Sequence, residues 1–418
     1  MNGENPMSAQ PQRTIPSDPA TAFKPAVPSA ELQSGVVDLP QPFRLDSGTV
    51  LENARLAWHS AGPADAPLVI ALGGISAHRR AWSVDGTGWW QEQVGPGLAL
   101  DTQSYRVLGI DWLGGCDEST GPRSRSNETT PSREARPSLP LPCEAGEGKG
   151  RGQAETTPSR EARLSLPLPC AAGEGKGREQ TETSPSLLVP SAGGEGKARA
   201  DFPVVSTADQ ARALLVLLNR LGVRRVHLLV GASYGGNVAQ QLAALLGERL
   251  RRLVLLSAAH RPAQFGLALR QIQRSILDLG NQSPRALALA RELAVLCYRS
   301  TEGVEQRFNA DESRGGVTGW LQHHGAAFSA RFDPAAYRCL GRSLDGHEID
   351  PAAIRTPTTV FAVREDLTVP LSLLHDYAAR AGGPCELVEI SSPHGHDAFL
   401  KEDAIVGRIL RCALEATP

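Results

Sequence analysis

The sequence predicts an α/β fold built on a mostly parallel, doubly wound sheet. Short apolar runs at 66–72, 105–112 and 358–363 have the length and composition of strands that are buried on both faces. Longer stretches with helical periodicity separate these runs. Strands that alternate with helices are typical of a parallel sheet with helices on both sides.

Composition narrows the range of functions. The 418 residues carry a formal net charge of -2, so there is no basic field for nucleic acid. Seven scattered cysteines form no C-x-x-C pair, which argues against zinc or a redox dithiol and fits a reducing compartment. Without a long apolar stretch or a secretory signal pattern, we expect a cytoplasmic protein that binds no membrane.

Two segments have compositions that cannot bury enough apolar surface to fold. Residues 1–35 are rich in Pro, Ser, Ala and Gln and predict a disordered tail. Residues 123–199 form a low-complexity insert, in which ETTPSREAR occurs at 128 and again at 155. The copies are rich in Pro and Gly and lack any helical or strand period, which favours disorder over a solenoid. The folded domain is therefore expected to comprise 36–122 and 200–418.

The first half of that domain is expected to place a hairpin before the sheet. Residues 43–59 alternate as in an antiparallel hairpin, and the strand at 66–72 follows. Segment 82–100 holds three tryptophans and is interpreted as a loop or short helix over the sheet edge. The strand at 105–112 leads to the insert.

The second half alternates helices with strands. A helix over 206–221, with Thr207 as its N-cap, comes first. Residues 261–340 have mostly helical periodicity and predict a helical lid, and 403–414 form a closing helix. The intervening strands are expected at 225–230, 250–257, 358–363 and 385–390.

The stretch Gly231-Ala232-Ser233-Tyr234-Gly235-Gly236 has the pattern of a nucleophile elbow. It joins a predicted strand to a predicted helix, and its glycines permit a strained turn that holds a serine hydroxyl at the carboxyl edge of the sheet. Ser233 is therefore the candidate nucleophile. The alternative is an ordinary glycine-rich turn.

A serine nucleophile needs a base, and the base needs a partner that fixes its tautomer. Asp366 directly follows the strand at 358–363 and is the candidate acid, with Glu365 as its rival. His396 lies between the last strand and the closing helix and is the candidate base, with His394 nearby. The order serine, acid, histidine at three strand ends favours a catalytic triad over three separate structural roles.

Acyl transfer also needs donors for an oxyanion. The backbone N–H of Tyr234, directly after the nucleophile, is one candidate. The second is the N–H of Gly73 or Gly74, which end the first buried strand. An ordinary turn is the alternative role for these two glycines.

Five stretches resemble the homoserine O-acyltransferase family, whose members have the α/β-hydrolase fold. They are GWWQEQVGPGLALDT at 88–102, ESTGP at 118–122, GASYGG at 231–236, RFDPAAY at 331–337 and GHDAFL at 395–400. The resemblance covers residue 39 to the C-terminus except the repeat insert. It implies a helical lid through which two copies form a homodimer.

The resemblance also implies a reaction. Ser233 takes an acyl group from acyl-CoA, a co-substrate, and the hydroxyl of L-homoserine then attacks the acyl-enzyme in a step of methionine biosynthesis. No bound cofactor or metal is expected. By motif position, Asp397 binds the ammonium group of homoserine and Arg274 faces its carboxylate. For Arg274 the alternative is an exposed lid arginine beside Arg270.

Three departures from the family pattern bear on substrate choice. Tyr234 replaces the usual methionine, Gly73-Gly74-Ile75 replaces an LTG-like strand end, and Cys116-Asp117-Glu118 precedes STGP where small residues are usual. All three departures are expected to lie near the pocket. Acetyl-CoA is the family's usual donor, with succinyl-CoA as the alternative, and serine is the alternative acceptor. The competing functions are a serine O-acyltransferase of cysteine biosynthesis, an esterase, and a non-catalytic binding protein.

Overall fold

The computed structural model describes residues 31–125, 202–309 and 315–416. Twelve strands occur in these ranges: β1 Leu32–Asp38, β2 Phe43–Arg44, β3 Val50–Leu51, β4 Arg55–Ala61, β5 Leu68–Leu72, β6 Val94–Gly95, β7 Leu100–Asp101, β8 Arg106–Ile110, β9 Leu228–Ala232, β10 Leu253–Leu256, β11 Thr358–Val363 and β12 Cys385–Ile390. The helices of the same ranges are α1 Thr207–Arg220, α2 Tyr234–Leu246, α3 Gln264–Leu279, α4 Pro284–Tyr298, α5 Thr301–Asn309, α6 Gly316–Arg331, α7 Pro334–Asp345, α8 Leu371–Arg380 and α9 Asp403–Glu415.

Eight strands form the central sheet in the order β1-β4-β8-β5-β9-β10-β11-β12. The pairings from β8 through β12 are parallel, whereas β4 is antiparallel to both β1 and β8. The predicted mostly parallel sheet is therefore confirmed. Because β9, β11 and β12 run the same way, the residues that follow them lie at one edge of the sheet.

The core lies on both faces of this sheet. Strand β5 is buried along its whole length. Ile70 and Leu72 belong to the apolar cluster that includes α1 and α2, while Val69 and Ala71 belong to the cluster that includes α9. Successive strand residues point to opposite faces, so a strand covered on both sides needs an unbroken apolar run.

The N-terminal elements differ from expectation in two ways. Strand β1 begins at Leu32, so the last four residues of the predicted tail of 1–35 belong to a strand, and residues 32–35 pair with 58–61 of β4. The hairpin expected over 43–59 is shorter, because β2 pairs with β3 while β4 joins the central sheet. The rest of the tail, and the insert from residue 126 onward, lie outside the described residues.

Helix α1 is capped one residue earlier than predicted. The Ser206 hydroxyl accepts a hydrogen bond from the Asp209 N–H, and the Asp209 carboxylate accepts one from the Ser206 N–H, which completes a capping box. The Thr207 hydroxyl instead contacts His347. Within 82–100 the structure has turns and the short pair β6 and β7.

Five helices, α3 to α7, occupy 264–345 between β10 and β11. This is the region in which the sequence predicts a helical lid. Along the chain, these helices lie between β10, the first strand after the nucleophile elbow, and β11, the strand that precedes Asp366. None of the helices in the described ranges is long and apolar enough to cross a membrane.

Candidate active site

Ser233 lies in a strained turn between β9 and α2, with φ 52° and ψ -121°. Residues other than glycine rarely adopt this conformation, and its cost is borne by the surrounding structure. Close packing explains the glycines around it. A Cβ at Gly235 would lie 2.2 Å from the carbonyl oxygen of Leu72, and one at Gly231 would lie 2.4 Å from the carbonyl oxygen of Gly235. The turn therefore excludes side chains at both positions.

The structure brings Ser233, His396 and Asp366 together. The Ser233 Oγ lies 2.9 Å from His396 Nε2, and His396 Nδ1 lies 2.7 Å from Asp366 Oδ2. Both distances are within hydrogen-bond reach, as a nucleophile, a base and an orienting acid require. His396 and Asp366 are buried, with 6% and 4% of their surfaces exposed.

Asp366 is held in place by the loop after β11. Its Oδ1 accepts hydrogen bonds from the N–H groups of Thr368 and Val369 at 2.8 and 2.9 Å, and from the Thr368 hydroxyl at 2.8 Å. These three donors satisfy Oδ1 and leave Oδ2 to His396. Glu365 bonds instead to the Ser391 hydroxyl and the Ser392 N–H. The rival carboxylate therefore points to another loop.

The neighbouring histidine, His394, is also turned elsewhere. Its Nδ1 lies 2.9 Å from Nη1 of Arg299, whereas His396 faces Ser233. Burial acts to lower the pKa of His396, but the adjacent Asp366 carboxylate outweighs it and raises that pKa above its ordinary value of 6.5. A base with this pKa accepts a proton more readily than free imidazole does.

The two glycines after β5 differ in their relation to Ser233. A Cβ at Gly74 would lie 4.0 Å from the Ser233 Cβ, so the Gly74 backbone passes beside the nucleophile. The Gly73 carbonyl accepts a hydrogen bond from the Gly235 N–H at 2.9 Å, which ties this loop to the elbow. The Gly74 carbonyl is engaged by Trp112 Nε1 at 3.1 Å.

The Tyr234 side chain points away from the reacting groups, contrary to the expectation that residue 234 lies near the pocket. It is fully buried between α1 and α7, where its hydroxyl accepts from Gln210 Nε2 at 3.2 Å and lies 2.8 Å from Ser343 Oγ. Burial raises the pKa of this hydroxyl, so it stays protonated. The side chain of Tyr234 therefore leaves only its backbone beside Ser233.

A cavity opens beside Ser233 and His396 under the helices that follow β10. Its wall includes Arg270 and Arg274 of α3 and Tyr298 at the end of α4. The Tyr298 ring packs against His396 with ring centroids 5.3 Å apart. The helical segment thus forms one side of the cavity and the carboxyl edge of the sheet forms the other.

Two arginines of α3 share one carboxylate at this cavity. Arg270 donates through Nε to Asp345, and Arg274 donates through Nη1 to the other oxygen of Asp345. Arg274 also donates through Nη2 to Gln271 at 3.0 Å. The predicted Arg274 therefore lines the cavity, and so do Arg261, Arg270 and Arg338, for which the sequence predicted no site role. The i, i+4 spacing of Arg270 and Arg274 was the available signal for that pair, because residues four apart share a helix face.

Asp397 lies beside the base but is not part of that wall. It belongs to the short helical turn Gly395–Leu400, and its carboxylate pairs with Arg299 Nη2 at 3.2 Å. The structure therefore does not bring Asp397 and Arg274 into one lining. Across the described ranges, no cluster of three or more His, Cys, Asp or Glu residues is arranged to hold a metal ion.

The fold and this site define a class of protein. Residues 67–403 match the family model of the α/β hydrolase fold, so the chain is a member of that superfamily. The solved structure of homoserine O-acetyltransferase from Staphylococcus aureus has the same fold, with a TM-score of 0.67 at 20% identity. That match covers 93% of this chain and 97% of the other.

Curated relatives define the family more closely. The chain is 32% identical over 375 residues to the homoserine O-succinyltransferase of Xanthomonas campestris pv. campestris. This match covers 87% of this chain and 79% of the relative. It is 30% identical over 339 residues to a homoserine O-acetyltransferase of Thermus thermophilus, covering 77% and 71%. The chain belongs to the homoserine O-acyltransferase family.

Proposed function

We propose that this protein is the homoserine O-acyltransferase of a methionine-biosynthetic route, and that it works through an acyl-Ser233 intermediate. The observation that carries the proposal is the hydrogen-bonded triad of Ser233, His396 and Asp366, which lies beside a cavity whose lining includes four arginines. Family membership supplies the acceptor, because the relatives above are named for homoserine.

The first half-reaction acylates the serine. His396 Nε2 takes the proton of the Ser233 hydroxyl as Oγ attacks the thioester carbonyl of acyl-CoA. Asp366 keeps Nδ1 protonated and stabilises the imidazolium that forms. The N–H groups of Tyr234 and Gly74 donate to the oxyanion of the tetrahedral intermediate. The C–S bond then breaks, and His396 returns the proton to the leaving sulfur as free CoA thiol.

The second half-reaction releases the product. The homoserine hydroxyl gives its proton to His396 Nε2 and attacks the acyl-Ser233 carbonyl, and Ser233 leaves with that proton. Arg274 binds the acceptor carboxylate from α3. The family resemblance assigns the acceptor ammonium to Asp397, whose carboxylate is paired with Arg299 and lies outside the described cavity lining. The finished product is the O-acyl ester of homoserine.

The competing reaction is hydrolysis, in which water discharges the same acyl-serine. An esterase has no need of cations at its pocket wall, whereas an amino-acid acceptor presents a carboxylate that guanidinium groups recognise. Arg270 and Arg274 at the cavity therefore favour transfer to an amino acid.

A thiol-release assay tests the proposal directly. The purified protein is mixed with acetyl-CoA or succinyl-CoA, with and without L-homoserine or L-serine, and the products are identified by mass spectrometry. Homoserine-dependent thiol release with a matching O-acyl-homoserine supports it. Release without an acceptor indicates a hydrolase, and a product with serine alone indicates the cysteine-pathway reaction.

The intermediate has its own test. Protein mixed with acyl-CoA in the absence of acceptor is digested, and the peptide that contains Ser233 is expected to carry the acyl mass. Ser233→Ala is expected to lose this mass and to lower turnover by roughly 10⁶-fold. The control is its unfolding curve, which is expected to match the wild type. A Ser233→Ala variant that still transfers acyl groups would refute the mechanism.

A further inference from the structure

We propose that Arg299 is a positioning residue for the base of the active site, because its guanidinium holds His394 and Asp397, the two residues that flank the turn of His396. The inference rests on the acyl transfer proposed above and adds to it how the base is held. It gives the α4–α5 junction, residues 298–300, a role in a triad whose three members all follow strands of the sheet.

Arg299 contacts the loop that carries the base at two points. Its Nη1 donates to His394 Nδ1 at 2.9 Å, and its Nη2 lies 3.2 Å from Asp397 Oδ2. The side chains of Arg299 and Asp397 are 14% and 20% exposed, so this ion pair is largely shielded from solvent. A planar guanidinium that bonds to two groups fixes the distance between them. His396 lies between these two groups in the chain.

The next residue of the junction bonds to the same loop. The N–H and the hydroxyl of Ser300 both donate to the Pro393 carbonyl, at 3.3 and 3.0 Å. The Ser300 hydroxyl also accepts a hydrogen bond from the Gly303 N–H at 2.9 Å, at the start of α5. A Cβ at Gly303 would lie 2.1 Å from the Pro393 carbonyl oxygen, so α5 packs directly on this carbonyl. The loop is therefore bonded to the junction before His396 as well as after it.

Tyr298, the first residue of the junction, contacts the base itself. Its ring centroid lies 5.3 Å from that of His396, and the Phe399 ring stands edge-on to the same imidazole at 6.0 Å. Gly395 has a φ of 53°, and a Cβ there would lie 2.6 Å from the Tyr298 carbonyl oxygen. The loop backbone thus passes directly against the end of α4. Packing of this kind limits the positions that the imidazole can take.

The sheet edge holds the beginning of this loop. The Ser391 hydroxyl and the Ser392 N–H bond to Glu365, and the base itself bonds to Asp366 and Ser233. The place of the base therefore also depends on the junction. A displacement of about 1 Å is enough to lower a rate by roughly 100-fold. Removal of the Arg299 guanidinium is expected to leave the triad complete but the base less precisely placed.

The acylation of Ser233 tests the inference, because this step needs the base but no acceptor. Wild type, Arg299→Met and Arg299→Lys are mixed with acetyl-CoA or succinyl-CoA without homoserine, and thiol release in the first turnover is followed by stopped flow. Arg299→Met is expected to slow this step by roughly 100-fold. Arg299→Lys, which keeps the charge and loses the planar fork, is expected to have an intermediate rate. The KM for homoserine is expected to change by less than about threefold.

A second measurement needs neither substrate. A fluorophosphonate bonds covalently to an activated serine with loss of fluoride, so the rate of Ser233 labelling depends on the base. Arg299→Met is expected to slow this labelling by about the same factor as acylation. The matched control is Arg285→Met, since Arg285 is an exposed residue of α4, and this variant is expected to keep both wild-type rates.

The two assays separate the inference from the proposed function. Absence of thiol release in the wild type refutes the proposed function, whereas slower labelling of Arg299→Met still supports the role of Arg299. Absence of Ser233 labelling in the wild type refutes the triad, and the inference with it.

Two results in Arg299→Met would overturn the inference. Wild-type acylation with a raised KM for homoserine would show that the pair of Arg299 and Asp397 serves the acceptor. A lower unfolding free energy with both rates unchanged would show a purely structural role. If Arg299→Met does not fold, Arg299→Lys and Ser300→Ala, which removes the hydroxyl bond to Pro393, are measured in the same assays. Wild-type rates in both of these variants would also overturn the inference.

Discussion

The ring of Trp112 stands edge-on to the ring of Tyr234, with ring centroids 4.9 Å apart and an angle of 77° between the planes. Trp112 also donates through Nε1 to the Gly74 carbonyl. Tyr234 directly follows Ser233 in the chain. The aromatic pair therefore connects the two backbone segments whose N–H groups are proposed to hold the oxyanion, and it sets their spacing by packing.

Removing the Tyr234 hydroxyl is expected to lower stability more than activity. Tyr234→Phe keeps the ring against Trp112 but takes a buried hydrogen-bond partner from Ser343 and Gln210. We expect a loss of about 1–3 kcal/mol in the free energy of unfolding, measured by denaturant titration. Ser343→Ala and the double variant complete a cycle in which the effects are less than additive. Fully additive losses would show that the two hydroxyls are not coupled.

The raised pKa of His396 is expected to determine the pH dependence of activity, since His396 is the proposed base. The base must be neutral, so kcat/KM is expected to fall as the pH drops through this pKa, with its acid limb above 6.5. The effect on stability has the opposite sign. The raised pKa of His396 stabilises the fold at pH values below the pKa of this histidine in the unfolded chain, and this stabilisation is lost as the pH rises through its pKa in the folded protein. A pH profile of kcat/KM checks the first point.

Substitution of the two neighbouring carboxylates separates their roles. Asp366→Asn is expected to lower kcat by roughly 10⁴-fold and to move the acid limb to lower pH. Glu365→Gln, which alters only the contacts to Ser391 and Ser392, is expected to retain activity within about threefold. The reverse ranking of these two variants would identify Glu365 as the acid.

Arg79 anchors the loop that follows Gly74. The Arg79 guanidinium pairs with the buried Asp111 and with Glu118, and the backbone N–H of Arg79 donates a hydrogen bond to Asp111 Oδ1 at 2.7 Å. Arg79→Met is expected to cost about 3–5 kcal/mol of unfolding free energy, because it leaves a buried carboxylate without its cation. Glu118 has 62% of its side chain exposed, so Glu118→Gln is expected to cost less than about 1 kcal/mol. Equal losses of unfolding free energy in the two variants, measured by denaturation with guanidinium chloride, would contradict this account.

The repeat insert is expected to be dispensable. The residues that flank the insert both lie next to Gly114. The Thr120 carbonyl accepts a hydrogen bond from the Gly114 N–H at 2.8 Å, and the Phe202 ring would lie 3.6 Å from a Cβ at Gly114. Closing that gap with a short linker costs little chain entropy. We expect deletion of 126–200 to leave kcat unchanged and the unfolding midpoint within about 3 °C.

The boundary of that deletion matters. Arg123 pairs with Asp333, the N-cap of α7, at 2.8 Å, so a deletion that starts at residue 123 removes this contact. Deletion of 123–200 is the matched comparison for deletion of 126–200, and we expect the longer deletion to give the less stable protein. Loss of folded, active protein in the shorter deletion would show that the insert supports the domain.

The sequence was sufficient to locate Ser233, Asp366 and His396 because local patterns mark each of them. Each follows a recognisable strand, and parallel strands carry their carboxyl ends to one edge. Strand β1 was missed in part, because its side chains alternate between exposed and half-buried and give no apolar run. Its strand character comes from pairing with β4, a contact that no local pattern shows.

The direction of the Tyr234 side chain could not be read from the sequence either. It depends on Ser343, which lies 109 positions further along the chain, and on Gln210 of α1. The place of Arg270 in the cavity wall could not be predicted for a similar reason. A lone helical arginine is usually exposed, and only the shared carboxylate of Asp345 shows that α3 turns both arginines toward the cavity.

The groups of the proposed triad and the α3 arginines of the cavity wall lie on different elements of this chain. Ser233, Asp366 and His396 follow strands of the sheet, whereas Arg270 and Arg274 lie on α3. In the proposed reaction, a substitution on α3 is therefore expected to change substrate preference while the reacting groups keep their geometry. The helical segment is then the part of this chain in which a new preference can arise without any change in the proposed chemistry.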